Sequence, residues 1–305
     1  MIFSGILISA LIGGMDAGSS VGIAPVSIGS FLSASLSPAY ARPPRRMHSI
    51  TVPIPPPAKG VTLPRVYGPA EDPSRPLVVI DPGHGGHDPG AVNRDKGLRE
   101  KDVTLALALA LRDALIAQGR VRVALTREGD TFLMLQERAD LARKMGADLF
   151  LSLHADAADN PDAQGATVYT LSETASDREA ARLAARENSA NVINGVDLSD
   201  QDNKVSSILI DLAQREVMEA SAGFAGVLYR EAAPFVRFRG RYHRFASLIV
   251  LKAPDMPSAL FEAGYITSAS DAAVLGSKEG RGRIAEGMAK AIGVYFARRS
   301  AANQR

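Results

Sequence analysis

The sequence of 305 residues contains no cysteine. This absence excludes disulfides, thiolate metal sites and cysteine nucleophiles, but it does not assign the protein to a cell compartment. The chain also lacks an excess of charge of either sign, since 35 Lys and Arg residues balance 33 Asp and Glu residues to a formal net charge of +2. A nearly neutral chain lacks the basic footprint of a nucleic-acid-binding protein, and we expect no nucleic-acid partner.

Long apolar runs are missing too. The run at residues 2–12 is too short to cross a bilayer, so we expect no transmembrane span in the mature chain. Residues 1–41 contain one acid, Asp16, and end in Ala39-Tyr40-Ala41, the small-x-small pattern of a signal-peptidase site. Although no basic residue precedes Arg42, this pattern predicts a signal peptide over residues 1–41 that is removed on export.

Residues 42–76 have a different character. They contain PIPPPAKG and GPAEDPSRP and show little apolar periodicity. Such a composition is typical of a Pro-rich, semi-extended linker. We therefore expect the folded domain to begin near residue 77.

From there on, strand patterns alternate with helix patterns. Apolar runs predict strands at 77–81, 121–126, 148–154, 165–171, 247–251 and 258–262. Helical spacing predicts helices at 103–118, from a cap at Thr131 to 146, and at 176–194, 206–232 and 280–297. This alternation predicts one α/β domain over 77–299, with three layers (α/β/α), a mostly parallel or mixed sheet and a helical insertion.

The chemistry-bearing residues stand where strands end. Residues 77–102, LVVIDPGHGGHDPGAVNRDKGLREKD, run from an apolar strand through a glycine-rich loop that carries His84 to Glu100, just before a helix. His154 ends the third predicted strand and Glu262 ends the last. Because α/β proteins place their sites outside the carboxyl ends of strands, we expect these four residues to meet at one edge of the sheet.

Two imidazoles and one carboxylate form the ligand set of a hydrolytic zinc site, which leaves a fourth position open for water. A second carboxylate is then needed to move protons between this water and the leaving group. On chemistry alone, Glu100 and Glu262 are each suited to either role. The sequence contains no H-E-x-x-H motif, so the predicted zinc site is not of the short helical type.

Other polar residues near these motifs have plainer interpretations. His87 follows His84 closely, but we expect it to be an exposed loop residue. Ser152 lies beside His154, yet no G-x-S-x-G motif supports a serine nucleophile. His243 lies in the aromatic and basic stretch 235–245, which we interpret either as a substrate-contacting groove or as a solvated loop.

Five motifs in order, DPGHGGHDPGAV, GLREKDV, TREGDTFLMLQERADLA, GADLFLSLHADA and PSALFEAGYIT, closely resemble the zinc-dependent N-acetylmuramoyl-L-alanine amidases of bacterial cell-wall remodelling. The resemblance covers about residues 77–297. It implies that His84, Glu100 and His154 bind one zinc ion and that Glu262 is the catalytic acid/base. It further implies a periplasmic enzyme that cleaves the amide between N-acetylmuramic acid and L-alanine in peptidoglycan and releases stem peptides.

The stretch 172–245 is longer than a plain crossover requires. It resembles the inserted regulatory segment of the division-associated members of the family, in which a helix covers the zinc until an activator protein displaces it. The resemblance therefore implies an activator partner and a role in daughter-cell separation. We expect the helix at 176–194 to cover the metal, with Glu187 or a neighbouring acid at the open position; the alternative is a plain surface helix.

Three other classes remain open from the sequence. A silent wall-binding module would keep the fold but lack a ligand or Glu262, and none is lacking here. A protein-directed metallopeptidase would share the metal and the glutamate but cut peptide bonds. A regulatory partner of the wall-lysis machinery would release no peptides.

Overall fold

A computed structural model describes residues 63–69, 72–158, 160, 162–193, 196–197 and 208–303. The predicted signal peptide, most of the predicted linker and His48 lie outside the described residues. The strands are β1 (Val66–Tyr67), β2 (Leu77–Pro82), β3 (Val92–Asn93), β4 (Leu98–Arg99), β5 (Arg122–Leu125), β6 (Leu149–His154), β7 (Ala166–Leu171), β8 (Val192–Ile193), β9 (Val196–Asp197), β10 (Phe238–Ala246) and β11 (Ser258–Glu262). The helices are α1 (Glu100–Gln118), α2 (Leu135–Lys144), α3 (Arg178–Asn188), α4 (Ile208–Ala232), α5 (Ala269–Gly276) and α6 (Lys278–Asn303).

The central sheet has the strand order β1-β5-β2-β6-β11-β7-β10. Strands β5, β2, β6 and β11 are parallel to one another. Strand β7 pairs antiparallel with β11, β10 runs parallel to β7, and β1 pairs antiparallel with β5 at the other edge. The mostly parallel, mixed sheet confirms the predicted fold class.

Helices cover both faces of this sheet. Side chains alternate along β2, so that Val78 and Ile80 pack into a core cluster formed with α1, α4 and α6. Leu77 and Val79 point the other way, into a second cluster formed with α2 and α3. Because both faces of the strand are buried, its sequence is a continuous apolar run, and the three layers follow from it.

The register of the parallel strands brings the predicted site residues to one edge. Glu262 at the end of β11 stands opposite His154 at the end of β6. Pro82 at the end of β2 stands opposite Leu153, so the loop that carries His84 leaves the sheet beside His154. Helix α1 begins at Glu100, three residues before the predicted start, and ends at Gly119, whose left-handed backbone (φ 62°) closes its last turn.

Two predictions for the segment after α4 are wrong. The stretch 247–251 is not a strand, because the chain turns after β10 and Ile249–Leu251 forms a 3-10 helix. A short apolar run has no periodicity that separates these two outcomes. Of the two interpretations of 235–245, the solvated loop is wrong, because most of this stretch is strand β10, an edge strand whose alternating aromatic and basic residues fit a half-exposed sheet position. The substrate-contacting groove stays a prediction.

Several boundaries also differ. Val66 and Tyr67, inside the predicted linker, form strand β1 and pair with β5. Helix α2 starts at Leu135 rather than near Thr131, since the Glu137 carboxylate accepts a hydrogen bond from the backbone N–H of Met134 (2.9 Å). Among the residues that the structure describes, no helix is long and apolar enough to span a membrane.

The stretch 172–245 contains α3, the β8–β9 hairpin, α4 and β10. Helix α4 contributes Phe224 and Leu228 to the core, and β10 completes the sheet. These two elements are therefore integral to the domain. Helix α3 also packs on the core, through Ala180, Leu183 and Ala184, and its Glu187 lies against His154 at the end of β6.

Candidate metal centre

Three of the predicted residues form one buried cluster. His84, Glu100 and His154 each offer a ligand atom, and these atoms lie within 4.8 Å of one another. Glu100 Oε1 lies 3.2 Å from His84 Nε2 and 3.2 Å from His154 Nδ1. The loop after β2, the first residue of α1 and the end of β6 thus converge as the strand pattern predicts.

His84 is held by its neighbours in an unusual conformation. Its φ of 61° makes it the only non-glycine residue with a positive φ in the described part of the chain. The Asp88 carboxylate lies 2.8 Å from Nδ1 and fixes the ring. Nε2 is buried and makes no hydrogen bond, because its approach to Glu100 is poorly angled for one. The free ring nitrogen therefore faces the cluster with its partner nitrogen anchored by a carboxylate, the usual arrangement of a metal-binding histidine.

Two buried guanidinium groups hold the loop that presents His84. Arg138 donates to the carbonyl of His84 (2.9 Å) and pairs with Asp81 (2.9 Å). Arg127 donates to the carbonyls of Pro82 (3.0 Å) and Gly83 (2.8 Å). Because buried carbonyls require hydrogen-bond donors, these contacts of the two arginines stabilise the path of the loop.

Ser152 belongs to the same buried network. Its hydroxyl donates to Asp81 (2.8 Å), as does the hydroxyl of Thr126 (2.6 Å). Ser152 is fully buried. Its hydroxyl is therefore committed to Asp81, which gives no support to a serine nucleophile.

Replacing Arg138 with Met is expected to lower the free energy of unfolding by about 3–5 kcal/mol, because it leaves the buried Asp81 carboxylate without its counter-ion. Denaturant unfolding of the purified protein measures this change. Arg230→Met is the matched control, since Arg230 is half-exposed and pairs with the neighbouring Glu231. Equal destabilisation by the two substitutions would contradict a special role for Arg138.

Glu100 is oriented by the backbone around it. Oε1 accepts a hydrogen bond from the N–H of Ala155 (2.8 Å) and Oε2 accepts one from the N–H of Ala91 (2.8 Å). Burial raises the pKa of Glu100, but the nearby charges of His84 and His154 and the hydrogen bond of His154 outweigh burial and hold that pKa well below its usual range. Glu100 therefore remains a carboxylate.

Close packing at the cluster requires a glycine at position 90. Gly90 has a φ of 64°, and a Cβ there would lie 2.7 Å from both Glu100 Oε2 and His84 Cδ2. Any side chain would push the two residues away from their present positions. The glycine-rich composition of the loop thus reflects how tightly it wraps the cluster.

Glu262 lies beside the cluster and is fully buried. Its Oε2 accepts a hydrogen bond from the backbone N–H of Asp156 (3.1 Å), whereas Oε1 has no hydrogen-bond partner in the described part of the chain. Burial, joined by the charges of Glu100 and Glu187, raises the pKa of the Glu262 carboxyl well above its usual range. A carboxyl with a raised pKa is suited to accept and return a proton near neutral pH.

Helix α3 brings Glu187 to the same place. Glu187 is 3% exposed, and its Oε2 lies 3.1 Å from His154 Nδ1 and 3.6 Å from His84 Nε2. With His154 and Glu262 it forms a second group of ligand atoms within 4.8 Å of one another. The cavity that remains between His84, His154 and Glu187 is about 10 Å³, room for about one water molecule.

Both ends of α3 are fastened to the domain. At its start, Asp177 caps the helix and pairs with Arg241 (3.1 Å) and Arg244 (2.9 Å) of β10. At its end, the Asn188 amide donates to the carbonyl of Ser247 (2.8 Å). The polar composition that suggested a plain surface helix therefore serves largely to attach α3 over the cluster.

The remaining histidines of interest lie outside the cluster. His87 is exposed and packs on Phe132, with ring centroids 4.2 Å apart. His243 lies on β10, 2.9 Å from the Thr170 hydroxyl, and burial lowers its pKa. The sequence analysis missed Asp88 and Asp156, although each stands two to four residues from a predicted ligand in the same motif.

Comparison with known proteins agrees with this geometry. A family model described as N-acetylmuramoyl-L-alanine amidase matches residues 78–294. The chain is 39% identical over 224 residues to N-acetylmuramoyl-L-alanine amidase AmiA of Salmonella typhimurium, covering 73% of this chain and 77% of that protein. It is 36% identical over 225 residues to AmiC of Escherichia coli, covering 73% of this chain and 54% of that protein.

Among solved structures, the fold is similar to the catalytic domain of CwlV, an N-acetylmuramoyl-L-alanine amidase from Bacillus (Paenibacillus) polymyxa. The TM-score is 0.54 at 28% identity, and the match covers 73% of this chain and 98% of that one. The range of the family match, residues 78–294, includes the three strand ends that carry the cluster.

Proposed function

The chain belongs to the family of N-acetylmuramoyl-L-alanine amidases, and on this premise we propose that it uses one zinc ion to hydrolyse the amide between the lactyl group of N-acetylmuramic acid and L-alanine in peptidoglycan. The observation that carries this proposal is the buried cluster of His84, Glu100 and His154 beside Glu262. The products are glycan strands and free stem peptides.

The residues of the cluster fit zinc. Two ring nitrogens and one carboxylate oxygen are donors that zinc prefers, and they leave a fourth position open. His84 Nε2 is buried without a hydrogen bond, which is costly unless a cation takes its lone pair. His84, Glu100 and His154 would hold the ion. Bound there, zinc would act as a Lewis acid that lowers the pKa of a water molecule in the fourth position to about 7.

The proton transfers fall to Glu262. Its Oε1 has no other hydrogen-bond partner among the described residues and is therefore free to take a proton from the attacking water. The same atom then returns the proton to the amine nitrogen of L-alanine as the amide bond breaks. The hydrogen bond from Asp156 to Oε2 keeps the carboxyl in one orientation for both transfers.

Digestion of purified sacculi tests the proposed reaction. The zinc-loaded chain is expected to release soluble stem peptides that begin with L-alanine, as weighed by mass spectrometry. Fragments cut within the stem peptide would instead identify a peptidase. No release by a zinc-loaded Glu187→Ala chain that still binds sacculi would favour a silent wall-binding module, because autoinhibition by α3 is weakened in that variant.

The sequence pattern of residues 1–41 supports export, and peptidoglycan lies outside the cytoplasmic membrane. We place the mature protein in the periplasm, where it acts in wall remodelling and daughter-cell separation. The signal peptide itself lies outside the described residues.

Helix α3 supports a regulated form of this enzyme. Glu187 lies within 4 Å of both histidines, so its carboxylate takes the side of the cluster from which water and substrate must approach. The chain then has only a low basal activity while α3 is in place, and an activator protein acts by binding the displaced form more tightly. Helix α3 packs a small apolar face, Ala180, Leu183 and Ala184, on the core and is further held by the ion pairs of Asp177, which suits a helix that must leave.

Replacing Glu187 with Ala is expected to raise basal amidase activity by about 5- to 30-fold, because it removes a charged contact from the closed form and leaves the helix propensity of α3 intact. Release of stem peptides from sacculi without any activator measures the change. Glu173→Ala, at an exposed position just before α3, is the matched control. Unchanged or lower activity of the Glu187 variant would contradict autoinhibition.

A further inference from the structure

Asp156 is a buried carboxylate beside the predicted acid/base. It is 1% exposed. Its backbone N–H donates to Glu262 Oε2 (3.1 Å), and its carbonyl accepts a hydrogen bond from the N–H of Ile266 (2.9 Å). The backbone of Asp156 is thus fastened to both β11 and the loop that follows it. Its carboxylate has a fixed position at the mouth of the cluster.

The only ionic partner of Asp156 in the part of the chain that the structure describes comes from helix α3. Oδ1 accepts a hydrogen bond from the N–H of the next residue, Ala157. Oδ2 receives no well-angled hydrogen bond and is covered by the guanidinium of Arg186, with which it forms an ion pair. The Arg186 side chain is 42% exposed, so the pair joins a buried anion to a cation at the surface.

Arg186 and Glu187 are consecutive, and each fills a different part of the site. Glu187 lies against His154, while Arg186 lies on Asp156. When α3 leaves, both are withdrawn together. The Asp156 carboxylate then loses both its counter-ion and the cover of Arg186, and it is free to accept a hydrogen bond from a cation or another donor.

We propose that Asp156 is a substrate-binding residue whose carboxylate accepts a hydrogen bond from an N–H group of the stem peptide. When α3 is in place, the guanidinium of Arg186 occupies the place of this N–H group. A carboxylate is an acceptor only, so its ligand must be a donor. The stem peptide offers two such sources near the scissile bond: its backbone amide nitrogens and the side-chain ammonium of its diamino acid. The guanidinium that fills the position in the closed form has the same chemistry.

Space for a peptide adjoins this pair. A cavity of about 350 Å³ opens beside Arg186 and is lined by Ala157, Asn160 and Tyr265. It lies between the segment that follows Asp156 and α3, which contributes Arg178, Glu179 and Leu183 to its lining. Because α3 forms one wall of this cavity, displacement of α3 opens the space beside Asp156 for a stem peptide whose first amide lies at the cluster.

This inference rests on the proposed function. The ion pair of Asp156 with Arg186 also has a second explanation. In this second explanation, the pair of Asp156 with Arg186 only fastens α3. Loss of the Asp156 charge would then raise basal activity in the closed form and change nothing once α3 is displaced. If Asp156 binds substrate, its loss weakens substrate binding in the open form.

The test therefore uses the full chain with Glu187→Ala as the parent, to which Asp156→Asn is added. The substrate is a soluble muropeptide, N-acetylmuramic acid that carries L-alanine, D-glutamate and a diamino acid. We expect KM to rise by about 10- to 100-fold with kcat within about threefold of the parent, because a hydrogen bond to a charged group is lost. Asp255→Asn is the matched control, since Asp255 pairs with Arg143 before the start of β11, at the opposite end of that strand from Glu262.

A second substrate, with the amine of the diamino acid acetylated, distinguishes the two sources of the donor. If the ammonium binds Asp156, acetylation raises the parent's KM to that of the Asp156→Asn variant. If a backbone amide binds, acetylation leaves the difference between parent and variant intact. Either result supports the proposal and names the donor.

Zinc content and the unfolding transition of each variant confirm that it is folded, and Asp156→Ser replaces Asp156→Asn if the latter is not. A parent that releases no peptide overturns the proposed function. A parent that releases peptide, with a KM within twofold of its Asp156 variant, overturns the substrate-binding role and leaves the amidase function standing.

Discussion

Replacing Glu262 with Gln is expected to lower kcat for stem-peptide release by about 10²- to 10⁴-fold, with KM little changed. Gln has the same shape and can keep the hydrogen bond from Asp156, but it cannot accept the proton of water or return one to an amine. The large effect follows from the position of Glu262, which is fully buried with one carboxyl oxygen uncommitted. Rates on a soluble muropeptide give kcat and KM separately.

Glu173→Gln is the matched control for this substitution, because Glu173 is exposed on the loop after β7. The Glu262 variant must retain its zinc, so that the loss of rate reflects proton transfer and not loss of the ion. A Glu262→Gln enzyme with more than a third of the parent's kcat would assign the acid/base role to another group.

Replacing His84 with Ala is expected to reduce bound zinc from one ion per chain to less than about a tenth, and to abolish stem-peptide release in parallel. The remaining residues, Glu100 and His154, supply one oxygen and one nitrogen, and three protein ligands are the usual minimum for a catalytic zinc site. Metal analysis after dialysis measures the first effect without reference to activity. Restoring zinc to the chelator-treated wild type should restore its activity.

His87→Ala is the control built into the same loop. His87 is three residues from His84 but is exposed and packs on Phe132. It should keep zinc and activity near those of the wild type. Loss of zinc from the His87 variant and not from the His84 variant would reverse the assignment of the ligand.

The strand ends of the site were predictable because the sequence around them is simple. The apolar runs that end at Asp81, His154 and Glu262 are buried on both faces, so they stand out without any alternation to interpret. Parallel neighbours then bring their ends together. The resemblance to a known family separated the roles of Glu100 and Glu262, which residue chemistry alone left open.

The sequence could not predict contacts between distant elements. The sequence predicts Arg138 to be an ordinary charged residue of an amphipathic helix. Its side chain is instead 2% exposed and donates a hydrogen bond to the carbonyl of His84, which lies 54 residues earlier in the chain. The pairing of Arg186 with Asp156 depends on where α3 lies, which no local pattern specifies. Strand β10 was missed because half-exposed aromatic and basic residues occur equally in loops and in edge strands.

The left-handed backbone conformation of His84 lowers the stability of the folded state, whereas the proposed function requires a histidine at this position. A residue with a Cβ at a φ of 61° is strained by about 1–3 kcal/mol, and glycine at the same position is relieved of that strain. Selection for heat resistance alone, for instance in an engineering campaign, would thus favour glycine at position 84 and discard a proposed zinc ligand. Libraries made to stabilise this domain should hold His84 constant and seek their gains on the exposed faces of α5 and α6.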